Sequence, residues 1–274
     1  MRNALKFTSI LATAGVALSL AACGSSGSSS SDANAPLKVV ASPTPHGQIL
    51  KYVKDNLAEK AGLKLDIKEV TDYVTPNTAV QDGSADANFF QHVPYLEDFN
   101  KKHGTNIVSV EPVHLEPLGV YSKKVKAITD LPDGATIGLP SDATNEGRAL
   151  KLLADNKLIT LKDGVTTAAT PADVTGNPKN FKWKELEAAQ LPRSVADLDA
   201  AVINGNYAID SGLKPATDAL VLEKADGNPY ANILAVKKGK ENDPRVKKLA
   251  ELLHSDEVKK YIDDTFQGSV IPAF

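Results

Sequence analysis

The stretch ATIGLPSDATNEGRALKLLADN (135–156) decides how the rest of the chain is read. A short apolar run, ATIGLP, ends at Pro140, and a turn rich in Ser, Asp, Thr and Asn follows. The helical pattern GRALKLLADN then predicts a helix beginning near Gly147. The same strand–turn–helix order recurs on either side. LKVVAS (37–42) is a β-branched run followed by the turn residues Pro43, Pro45 and Gly47, and by a helix with Leu50, Val53 and Leu57 on one face, closed by Gly62. KLDIKEV (64–70) alternates apolar and polar residues as a strand does. Phe181 and Trp183 alternate with polar residues up to Leu186, and Ser194 with Asp197 resembles a capping pair opening a further helix. The carboxyl-terminal part carries Val246, Leu249 and Leu253, then Val258 and Ile262, at helical spacing. Strands alternating with helices imply an α/β architecture with largely parallel sheets. LGVYSK (118–123) and ANILAVKKG (231–239) read as two crossings between lobes, which leaves a cleft where a small ligand would sit. The expected division is one lobe of 37–119 plus 232–274, and a second of 120–231.

The amino terminus is an address. Arg2 and Lys6 precede an apolar run from Ile10 to Leu20, then Leu20-Ala21-Ala22 leads to Cys23, the single cysteine of the chain. Residues 1–22 thus read as a secretory signal, too short in its apolar core for a membrane span of about 20 residues. The tether GSSGSSSSDANAP (24–36) has no large side chain to bury, and its r.m.s. span is about 20 Å. Disulfides and Cys-rich zinc patterns are excluded from the mature domain. Removing Arg2 and Lys6 leaves 29 basic against 34 acidic residues, a mildly acidic balance that argues against nucleic acid as a partner.

Enzyme signatures are absent: there is no HExxH, no P-loop and no GxSxG, and the five histidines lack metal-ligand spacing. Three segments carry other chemistry. In SDATNEGRALKLL (141–153), Arg148 near a helix start either pairs with Asp142 or Glu146 or, with helix N–H groups, forms a carboxylate pocket. In ADANFFQHVPYL (85–96), Phe89 reads as core, whereas Phe90, His92 and Tyr95 suit the wall of a cleft. Tyr73 of DYVTPN (72–77) either joins that wall or is a half-buried loop residue. Asn204, at the end of a short apolar run, and Asn232, which follows NPY (228–230) where the chain returns between lobes, either make turns or offer a donor and an acceptor to a ligand's charged ends.

Together, DYVTPN, the D-A-N-x-F-Q-H-x-P-Y-L run, VHLEPLGVYS, the P-x-D-x-T-N-E-G-R-A-L run, LEAAQLPRS, AVINGNYA and NPYANI resemble the methionine-binding lipoproteins of the NlpA family, over nearly the whole mature chain. The L-A-A-C run resembles a lipobox, so Cys23 is expected to be acylated. The resemblance implies a type II periplasmic-binding-protein fold, two α/β lobes joined by two crossover strands, without catalysis or cofactor. It implies a monomer at the outer face of the cytoplasmic membrane, delivering methionine to an ABC permease with a cytoplasmic ATPase. It assigns Arg148 to the ligand carboxylate with Asn145 beside it, Asn204 and Asn232 to the head group, and Tyr73, Phe90, His92 and Tyr95 to the thioether side chain. The chain departs from the family pattern at Phe89, where a small residue is usual, and at Ala143, where proline is common. Another small amino acid, a methionine-containing dipeptide, or an adhesin's macromolecular target are the competing ligands.

Overall fold

The computed structural model describes residues 35–165 and 167–274; Cys23, the signal and the tether as far as residue 34 lie outside the described residues. The order is β1 (Leu37–Ala41), α1 (Gln48–Val53), β2 (Leu65–Glu69), α2 (Thr75–Asp82), β3 (Ala87–His92), α3 (Val93–His103) and β4 (Ile107–Leu115). The chain then crosses to β5 (Gly119–Tyr121), β6 (Thr136–Pro140), α4 (Ala143–Asp155), a small hairpin of β7 (Thr160–Leu161) and β8 (Val174–Gly176), and β9 (Lys182–Leu186). It continues through α5 (Leu191–Ser194), β10 (Ala200–Ile203), α6 (Gly205–Asp210), α7 (Pro215–Asp218) and β11 (Val221–Leu222), and returns with β12 (Asn232–Lys237), α8 (Pro244–Leu253), α9 (Asp256–Phe266) and β13 (Ile271–Pro272).

Two mixed sheets result, ordered β13-β4-β12-β3-β1-β2 and β11-β5-β10-β6-β9. They share one scheme. In the first, β1 lies parallel between β2 and β3, and β12 joins antiparallel to β3 after arriving from the other sheet. In the second, β6 lies parallel between β9 and β10, and β5 joins antiparallel to β10 after arriving from the first. This is the α/β arrangement of a type II periplasmic-binding protein. Such a layout places the carboxyl ends of parallel strands, where ligands gather in open α/β sheets, beside both crossings.

Each sheet is covered on both faces, which explains the continuous apolar runs in the strands. Val39, Ala41, Leu234 and Val236 pack on α1, α8 and α9, while Val40, Ile233 and Ala235 pack on α2 and α3. In the second sheet Ile137, Leu139, Ala200 and Val202 face α4 through Ala149, Leu150 and Leu153. Ala201 and Ile203 face Leu191, Tyr207 and Ala208 on α5 and α6. Among the described residues no helix is long and apolar enough to cross a membrane.

Two helix starts differ from the sequence reading. Helix α4 begins at Ala143, four residues before Gly147, because the Asp142 carboxylate caps it and accepts from the Asn145 N–H at 3.0 Å. Arg148 therefore lies in the second turn rather than the first, and the helix-end N–H reached by Asp142 is not open to a ligand. Ser194 closes a helix instead of opening one: α5 starts at Leu191 with Pro192 in its first turn, and the Ser194 hydroxyl donates back to the Gln190 carbonyl. The apolar period sets where a helix buries its face, whereas the cap sets where it starts.

Candidate functional site

A cavity of about 330 Å³ opens where the carboxyl ends of β3 and β10 meet the crossings. It is lined by Tyr73, Phe90, Gln91, His92, Tyr95, Glu116, Asn145, Arg148, Asn204, Gly205, Asn206 and Asn232. All eight residues singled out in the sequence converge here. Glu116, Gln91, Gly205 and Asn206 are additions.

The ring wall comes from β3 and its corner. β3 and β12 pair Gln91 with Ile233 and Phe89 with Leu234, so Phe90 is an extra residue, a bulge in the ladder. A bulge re-aims side chains beside functional sites. Here Phe90 lines the cavity, whereas Phe89 is fully buried beneath it, edge-on to His46 at 4.7 Å and His114 at 5.2 Å between ring centroids. The ring at 89 is thus core, outside the wall that Phe90 helps to form. Gln91 and Asn88 both reach Asn77 of α2, in a buried amide network with bonds of 2.7–3.0 Å. Tyr73 packs against Phe90, Tyr95 and Tyr207 with centroids 5.0–5.8 Å apart.

His92 and Tyr95 are both buried, at a strand end that runs into Pro94. The reason is a cap. The His92 Nδ1 accepts from the Tyr95 N–H at 3.2 Å at the start of α3, so the ring proton sits on Nε2 and is donated to the Asn145 Oδ1, also at 3.2 Å. Burial, with Arg148 nearby, lowers the His92 pKa to about 3, and the ring is neutral.

Asn145 is fully engaged. Its Oδ1 accepts from His92 and from the Asn204 Nδ2 at 2.9 Å, and its own Nδ2 donates to both Asp142 oxygens at 3.0 Å. It aims its neighbours. Asn204 thereby turns its Oδ1 inward, buried and without a hydrogen-bond partner. Arg148, on α4, does not pair with Asp142 or Glu146: its Nε and Nη2 hold the Glu223 carboxylate, and Nη2 also donates to the Glu116 carbonyl at 3.0 Å. The Tyr230 ring lies under the guanidinium, 4.3 Å from Cζ to centroid. Burial works to raise the Glu223 carboxyl, but Arg148 overrides it and holds the group below the usual range.

Beneath the cavity, two imidazoles converge on one carboxylate. The His114 Nε2 lies 2.8 Å from the Glu116 Oε1; the His46 Nε2 lies 3.2 Å from the same oxygen and 3.0 Å from the Asn232 Oδ1. Both Nε2 atoms face acceptors, so both carry the proton. Burial lowers the two pKa values to about 4 for His46 and about 3 for His114, leaving neutral rings. Among the described residues these three form the group compact enough to hold a metal ion, with ligand atoms within 4.8 Å. A metal at the Nε2 atoms would move each ring proton to Nδ1, and the His114 Nδ1 is buried with no partner. The cluster fits a hydrogen-bonded carboxylate better than a metal centre with its second shell. Neither histidine nor Glu116 stands out singly in the sequence, although a charge inside the apolar run HLEPLGV (114–120) is a signal.

The chain matches the NlpA lipoprotein family model over residues 37–274. It is 42% identical over 267 residues to the methionine-binding lipoprotein MetQ of Bacillus subtilis, covering 96% of each chain. It is 38% identical over 270 residues to the D-methionine-binding lipoprotein MetQ of Escherichia coli K12, covering 98% of each. A nutrient binding protein from Burkholderia cenocepacia, solved bound to methionine, superposes with a TM-score of 0.84 at 45% identity, covering 87% of this chain and 100% of that one. Sequence and structural likeness agree, and the chain belongs to the NlpA lipoprotein family.

Proposed function

We propose that the protein captures methionine outside the cell membrane and delivers it to an ABC permease with a cytoplasmic ATPase, anchored through a lipid on Cys23 and without catalysing a reaction. The reading rests on one observation: a guanidinium, amide groups with atoms left unpaired, and a ring wall converge on one cavity between two sheets. In it, Arg148 and the Asn232 Nδ2 take the ligand carboxylate, Asn204 serves the head group, and Asn145 holds His92 and Asn204 in place. Tyr73, Phe90, His92 and Tyr95 surround the thioether, whose polarisable sulfur packs well at ring edges. Residues 37–119 plus 232–274 and residues 120–231 act as hinged lobes, the ligand favouring the closed form.

Magnitude supports enclosure. A nanomolar Kd needs about −12 kcal/mol, against a ceiling of about −1.5 kcal/mol per non-hydrogen atom, so a ligand as small as methionine must be wrapped almost completely. Native mass spectrometry of purified protein is expected to show a mass increment of one methionine. Calorimetry is expected to show severe loss of affinity in Arg148→Ala and in Asn232→Ala. A thermal-shift panel in which methionine has no effect while another amino acid or dipeptide stabilises the protein would replace the ligand and keep the site.

A further inference from the structure

The cavity holds a second charge. Glu116 follows β4 at the first crossing and is 5% exposed. Burial raises the Glu116 pKa above the ordinary carboxylate value, while His46, Arg148 and the Asn206 N–H pull it back. Its Oε1 accepts from two imidazole N–H groups, and an ammonium brought by a ligand would add a further donor that favours the carboxylate. The approach is permitted by a glycine: a Cβ on Gly205 would stand 2.7 Å from the Glu116 Cβ and 3.2 Å from its Oε2. Next to that glycine, Asn204 turns its orphaned Oδ1 into the same cavity.

The charges do not cancel. Arg148 supplies one cation, and its fork is already held by Glu223. Glu116 supplies an anion for which the histidines, being neutral, are not counter-ions. A ligand carrying only a carboxylate would add a further buried negative charge, whereas an ammonium would balance Glu116 and satisfy Asn204. We propose that Glu116, with the Asn204 Oδ1, receives the α-ammonium of the ligand and makes the site selective for amino acids over amine-free carboxylates. The assignment rests on the preceding reading, in which Arg148 takes the carboxylate. His46 and His114 are positioning residues here: they hold the carboxylate by hydrogen bonds without lending it positive charge.

The test is titration calorimetry of wild-type protein and Glu116→Gln with L-methionine and with 4-(methylthio)butanoate, which lacks only the amine. Wild-type protein is expected to prefer methionine by about a hundredfold or more, as sites built around a polar group reject the analogue lacking it. Glu116→Gln is expected to lose affinity for methionine and to hold or gain affinity for the analogue, collapsing that preference. Equal loss of both ligands, or an unchanged preference in a folded variant, would overturn the proposal. Should the variant not fold, wild-type protein decides: binding of both ligands within about threefold overturns the role of Glu116 alone. Wild-type protein that ignores methionine altogether removes the reading beneath it.

Discussion

The two sheets share a strand order but furnish the cavity with different side chains. The first delivers the rings of Phe90 and Tyr95, the uncharged capping ring of His92, Asn232 at the start of β12 and, just after β4, the carboxyl group of Glu116. The second delivers the cation, Arg148 on α4, with the amides of Asn145 and Asn204. One topology therefore fixes where site residues emerge, at strand ends beside the crossings, but not what they are. The difference teaches that the two sheets divide the charges between them, a carboxyl from one and a guanidinium from the other, while the ring wall belongs to the first alone.

The largest expected effect removes the cation of the second sheet. Arg148→Ala takes the guanidinium out of the cavity wall and strands the Glu223 carboxylate, at 14% side-chain exposure; breaking such a buried pair costs about 3–5 kcal/mol. Urea unfolding of the ligand-free protein is expected to read that loss separately from the loss of affinity.

Glu146, two residues earlier on α4, is the counter-case. Burial, with Glu185 and Asp142 nearby, pushes its carboxyl up to about 7. A folded pKa raised above the unfolded value means the folded state holds the proton more tightly. The resulting stability is fully present below about pH 4.5 and is lost as pH rises to about 7. Glu146→Gln is therefore expected to stabilise the protein at pH 8 and to change little at pH 4, read as Tm. A change in Tm relative to wild type that is equal at both pH values would show that this carboxyl is not strained.

Contacts between the halves are weaker. The Tyr207 hydroxyl donates to the Thr71 carbonyl at 2.7 Å and the Tyr73 hydroxyl to the Asn206 Oδ1 at 2.6 Å. Tyr207→Phe is expected to weaken methionine binding by about 0.5–1.5 kcal/mol, through a faster off-rate measured by stopped flow. The ring wall gives the smallest effect: Phe90→Leu replaces a ring at similar polarity and is expected to narrow the preference for methionine over norleucine by about 0.3–1.5 kcal/mol. A larger change in head-group analogues than in norleucine would show that the ring wall and the charged groups are not separable.

Local patterns made most of the fold legible. Periodicity found β1, β2, α8 and α9, and Pro140 marked the end of β6. What failed was capping: Asp142 displaced the start of α4, and Pro192 opened α5 ahead of Ser194. The eight site residues could be named because their motifs match a family, not because their spacing shows a cavity. Glu116, His46 and His114 escaped because their meaning lies in one another. A lone histidine in a loop after β1 and another in β4 acquire a role only when folding brings both rings to one carboxylate. The bulge at Phe90, which separates a core ring from a wall ring in consecutive positions, is likewise a product of pairing with β12.

Glu116 and Asn232 stand at the two places where the chain passes between the sheets, just after β4 and at the first residue of β12. Both side chains line the cavity, so a molecule seated there would touch the two connecting strands directly, with no side chain standing between it and them.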